Sequence, residues 1–133
     1  MVIFMTDFDR LCESIFPIDD SIRYVRVLGE HGVSLAGRYR DDKIPRYFTK
    51  NEMRELEKFY FFVYSIQEFH KPRVGGMRCV ILELEKIKKF SFPLDDGNLL
   101  IVTANPESSI DIKDKIQEKI TTFLKTGSSN FAT

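Results

Sequence analysis

The sequence has no tryptophan, only two cysteines and two histidines, and no net charge: 20 basic residues balance 20 acidic ones among its 133. Each scarcity excludes something. Balanced charge argues against a dedicated nucleic-acid binder, which carries a basic excess or a strong basic stripe. Cys12 and Cys79 lie far apart in apolar settings, with no CxxC spacing and no neighbouring metal-type ligands. They read as buried reduced thiols. No apolar run approaches the about 18 residues that a membrane helix needs. The opening MVIFM lacks the basic start, long apolar region and cleavage site of a secretory signal. The expectation is a soluble, cytoplasmic chain with no membrane insertion.

Catalytic parts are equally scarce. His31 sits in the tip LGEHGVSLAG between two strand-like runs, and His70 belongs to a different element. A histidine can be a base, a ligand or a switch, but His31 has only Glu30 beside it and reads as a hairpin corner. Gly75-Gly76 precedes a strand, whereas a phosphate cradle needs a glycine loop that opens a helix. Asp95-Asp96-Gly97 lacks the alternating oxygens and distal Glu of a calcium loop. No catalytic, cofactor-binding or metal-binding residue is assigned, and an enzyme is not expected.

What is present is a regular succession of elements. Three helices open on a hydroxyl followed three residues later by an acid: Thr6 with Asp9, Thr49 with Glu52, and Ser108 with Asp111. In such a pair the hydroxyl accepts from a free first-turn amide and the acid reaches back. The first helix carries Phe8, Leu11, Cys12 and Ile15 and ends at Pro17; the last carries Ile112, Ile116, Ile120 and Phe123. The middle helix, read from Asn51 to His70 and stopped by Pro72, has two apolar stripes. Met53, Leu56, Tyr60 and Val63 form one, and Phe59, Phe62, Ile66 and Phe69 the other. A surface helix needs one, so the second is covered either by the chain's own flanking helices or by a partner subunit. Strand patterns fall at Ile22 to Leu28, Val33 to Tyr39, Met77 to Leu84, Lys86 to Phe92 and Leu99 to Ala104.

Short connections within each run of strands predict antiparallel pairing. The simplest solution is an α+β domain with one five-stranded antiparallel sheet and three helices, in the order α-β-β-α-β-β-β-α. It is expected to span residues 1–126, with 127–133 as a flexible tail. This succession, carried by IRYVRVLGEHGVSLAGRY, the Asn51–His70 helix and MRCVILELEKIKKFSFPLDDGNLLIVTANPES, resembles the roadblock family (dynein light-chain type). That family is close in fold to longin and profilin domains.

The resemblance implies a non-catalytic homodimeric interaction module that regulates or scaffolds, with a small GTPase as one class of partner. It implies pairing through the third strand and the middle helix, here Phe59, Phe62, Ile66, Phe69, Cys79 and Ile81. Two readings from the residues stay open beside it. One is a small-molecule sensor of longin, profilin or PAS-like kind, with a pocket between sheet and middle helix lined by Tyr24, Phe59 and Phe62. The other is a nucleic-acid-associated factor using Arg38, Arg40, Lys43, Arg46, Lys50 and Arg54, interleaved with Tyr39, Tyr47 and Phe48. Asp41, Asp42 and Glu52 dilute that patch. An acidic protein surface would suit it better than nucleic acid.

Overall fold

Thr6 caps the first helix as its spacing from Asp9 promises. Its hydroxyl accepts from the Asp9 backbone N–H at 3.1 Å, and Asp9 Oδ2 accepts from the Thr6 N–H at 3.0 Å. The Thr6 N–H holds the Asp9 carboxyl below its usual value. The computed structural model describes residues 6–41, 43 and 52–127. Over these run α1 (Asp7–Ile15), β1 (Ile22–Leu28), β2 (Ser34–Tyr39), α2 (Glu52–Val74), β3 (Val80–Glu83), β4 (Lys88–Pro93), β5 (Leu99–Ala104) and α3 (Ile112–Thr122). The strands form one sheet in the order β2-β1-β5-β4-β3, and every neighbouring pair is antiparallel. This is the expected α+β architecture.

β5 shows why the sheet is covered on both sides. It occupies the centre, and its run LLIVTA is apolar at nearly every position, as strands buried on two faces are. Leu100, Val102 and Ala104 join the core beneath α1 and α3, together with Leu11, Ile15, Phe90, Phe92 and Ile116. Leu99 and Ile101 face the other way, into a smaller cluster with Leu28 and with Tyr60 and Val63 of α2. Two cations tie the first layer down. Arg38 of β2 reaches Asp9 at 3.2 Å and Glu13 at 3.7 Å on α1. Lys88, itself buried, donates to the Ser108 carbonyl at 2.5 Å and lies 3.5 Å from Glu83.

Three local expectations are corrected. Pro72 does not stop α2, which runs on to Val74. In the last turn a proline forfeits one intrahelical bond, and the helix closes where the Gly75 N–H donates to the Lys71 carbonyl at 3.2 Å, Gly75 adopting φ +95°. This is a left-handed terminus that glycine permits. β3 is four residues long rather than the eight from Met77 to Leu84: the ladder with β4 begins at Val80 and ends at Glu83, and the Leu84 N–H turns to the Ile87 carbonyl at 2.9 Å. Finally, Ser108 does not cap α3. Its carbonyl holds Lys88, Ser109 Oγ accepts from the Asp111 N–H at 3.1 Å, and the helix starts from Asp111 with no side-chain cap bond. The Thr49 cap lies outside the described residues.

Both thiols are free, Cys12 fully buried and Cys79 half-buried. Burial pushes the Cys12 thiol up to about 12 and the Cys79 thiol up to about 11. Since the thiolate is the nucleophile, the native protein at pH 8 should react with Ellman's reagent far more slowly than the same protein in urea. Rapid native reaction of both thiols would refute their burial. The sign for stability follows: both contributions are intact below the unfolded thiol value, about 8.5. They are lost as pH rises from there toward the raised native values.

Candidate association surface

α2 is held at one end of the sheet by its N-terminal half. Tyr60 donates its hydroxyl to the Gly97 carbonyl at 2.7 Å, and Tyr64 to the Asn98 carbonyl at 2.8 Å, both in the β4–β5 turn. Burial raises both phenols, Tyr64 to about 12. On the other side, the β1–β2 turn presses against the helix. His31 takes a left-handed conformation (φ 63°) with its ring 5.7 Å from that of Phe61, and Gly32 meets the backbone of Glu57. Histidine is one of the residues that tolerate that conformation. His31 is thus a turn residue, as expected, that also packs on α2.

With Tyr60 and Val63 turned to the sheet, the second stripe of α2 faces outward. Phe62 is 48% and Phe69 60% exposed, while Phe59 and Ile66 are half-buried. Phe59 lies 6.3 Å ring to ring from Phe62 and carries the Lys89 ammonium at 4.4 Å over its face. Arg73 covers one side of Phe69 at 4.8 Å. On the same flank of the molecule β3 closes the sheet as an edge strand, with Leu84 beyond it 52% exposed. Among the described residues an apolar helix strip therefore accompanies an unpaired strand edge.

Neither a family model nor a curated protein matches the sequence. Solved structures do. A roadblock/LC7 domain from Streptomyces avermitilis is similar over 96% of this chain and 100% of its own, with a TM-score of 0.68 at 16% identity. MglB in a tetrameric arrangement gives 0.71 at 12% identity, covering 93% of this chain and 91% of that one. The fold is that of a roadblock domain. A structure of LokiProfilin1 in complex with rabbit actin follows at 0.53 and 13%, covering 88% and 93%, so the roadblock fold here also carries the profilin likeness.

Within the roadblock fold the six residues assigned to pairing fall into two groups. Phe59, Phe62, Ile66 and Phe69 lie along α2. Cys79 and Ile81 lie on the opposite face of the sheet, half-buried against the α1–α3 core; of β3, it is Val80 that packs on the α2 side. The assigned basic residues are dispersed. Arg38 is engaged with α1. Arg40 donates to the carbonyls of Ile22, Phe16 and Asp19 at 2.5 to 2.8 Å, and its guanidinium lies 5.4 Å from the Phe16 ring. Lys43 and Arg54 are exposed; Arg46 and Lys50 lie outside the described residues. Of the residues proposed for a sheet–helix pocket, Tyr24 stacks on Tyr39 at 4.2 Å beneath the Arg26 guanidinium. Phe61, which sequence reasoning passed over, is 48% exposed beside the β1–β2 turn. Tyr64 was also missed, for its partner is 34 residues away. Among the described residues no helix is long and apolar enough to cross a membrane.

Proposed function

We propose that this roadblock-fold chain acts as a non-catalytic homodimeric module whose joined surface receives a protein partner, a small GTPase being the leading class. The observation that carries the reading is the outward strip of Phe62 and Phe69 on α2 beside the edge strand β3. Isolated exposed apolar residues need no explanation, but a strip of aromatics along one helix face does. Its dimensions bear on how two copies would meet. At about 1.5 Å per residue α2 is roughly 35 Å long, and at about 10 Å wide its outer face offers roughly 350 Å². A stable pair needs about 800 Å² per protomer. The helix alone is therefore too small, and pairing through it requires the β3 edge as well, where main-chain bonds between copies would extend the sheet.

Light scattering across a wide dilution range, at low and high salt, tests this. The expected result is a salt-resistant dimer, converted to a folded monomer by Phe62→Glu together with Phe69→Glu. Both side chains are already exposed, so the fold should survive. A wild-type monomer at every concentration would overturn the reading.

A further inference from the structure

The face of the sheet covered by α1 and α3 holds, at its β4–β5 turn, a cavity the dimer reading does not use. Its walls are Phe8 of α1, Leu94 at the end of β4, and Phe123 and Leu124 in the wider turn (Phe123–Gly127) that extends α3. The Phe8 and Phe123 rings stand 6.0 Å apart. The rim is the β4–β5 turn: Asp95, Asp96 and Asn98. The cavity measures about 120 Å³, somewhat below the about 150 Å³ in which an apolar protein cavity holds benzene. It has room for one ring or one branched aliphatic group.

The rim is rigid. The Leu94 N–H donates to the Asn98 carbonyl at 2.8 Å and the Asn98 N–H to the Asp95 carbonyl at 3.3 Å. Asp96 and Gly97 both take positive φ, 61° and 75°, to close the turn. Asp95 and Asp96 are exposed, so their carboxylates stand in solvent around an apolar opening. Such a site discriminates by charge: an apolar group bearing an anion is repelled, and one flanked by cations is drawn in.

The acidic rim then decides between a free ligand and a side chain. An uncharged molecule of one ring gives the Asp95 and Asp96 carboxylates nothing to hold, whereas a side chain delivered by a larger partner brings flanking cations to them. We propose that this pocket receives a single aromatic or branched side chain of a protein partner, placed between lysine or arginine residues. The inference is independent of whether the chain dimerises.

The test follows amide chemical shifts of the full-length protein by NMR during titration with three capped tripeptides: lysine–phenylalanine–lysine, glutamate–phenylalanine–glutamate and lysine–alanine–lysine. The first should give saturable shifts confined to the neighbourhood of Phe8, Leu94 to Asn98, and Phe123 and Leu124. The other two should give none there. Asp95→Asn with Asp96→Asn should weaken the first roughly threefold to tenfold, the size of one or two exposed charge pairs. Asparagine tolerates the left-handed conformation at position 96, so the turn should keep its shape, which the unperturbed remainder of the spectrum checks. Equal binding of the acidic peptide, equal binding of the alanine peptide, or no shifts at these residues would each overturn the proposal.

Discussion

Phe90→Ala is expected to cost about 3–5 kcal/mol, a large share of the about 5–15 kcal/mol that holds a domain of this kind together. The side chain is fully buried at a position where three strands meet: Phe90 pairs with Ile81 on β3 and with Val102 on β5. It is among the largest fully buried side chains of the protein and lies in the core that α1 and α3 close. Truncation leaves a void that cannot collapse easily, since the sheet register fixes the strands and the Arg38 and Lys88 tethers hold the layer above them. Urea unfolding followed by circular dichroism would read the loss as a lower midpoint with an unchanged slope. A loss below about 0.5 kcal/mol, the usual size for a surface change, would show that Phe90 is not the centre of this core.

Gly32→Ala should rank next, and for a different reason. Gly32 has φ +82°, and a Cβ built there would stand 2.6 Å from the Glu57 Cα and 2.8 Å from its nitrogen. Two penalties add: left-handed strain of about 1–2 kcal/mol and overpacking of about 1–3 kcal/mol. The second cannot be relieved by a side-chain rotation, because the obstacle is helix backbone. Gly75→Ala supplies the control. Gly75 also has positive φ, +95°, but nothing lies within 4 Å of its Cβ position, so it should show the strain alone. The difference between the two variants in urea unfolding isolates the collision. Hydrogen exchange should further show the loss in Gly32→Ala concentrated in α2 and the β1–β2 turn. Equal costs at the two glycines would mean that α2 does not lie where the structure puts it.

What the sequence made legible was local and periodic. The unbroken apolar run of β5, the stripe of α3 and the Thr6–Asp9 spacing each announce themselves within a few residues, and the order of elements followed from them. What escaped was set by partners far along the chain. Nothing near Ser108 reveals that its carbonyl is taken by Lys88, 20 residues earlier, and the capping pattern there is not realised, since α3 starts from Asp111 with no side-chain cap bond. Arg38 and Arg40 looked like members of a charged run, since sequence spacing cannot show that one meets α1 acids and the other meets three carbonyls. Pro72 was read by its interior effect, although in the last turn its missing donor costs one bond. On the association surface, the second stripe of α2 was visible as a pattern. That Cys79 and Ile81 lie across the sheet from it was not, since the faces of a strand are assigned only once its register is known.

The grip of Tyr60 and Tyr64 on the β4–β5 turn has an evolutionary consequence. Both hydroxyls bind carbonyl oxygens, and a carbonyl is present whatever residue carries it. Asp95 and Asp96 can therefore be exchanged through descent without loosening α2, provided the backbone can still make the bend. That end of the protein separates anchorage, written in the main chain, from recognition, written in side chains, and leaves the second free to diverge.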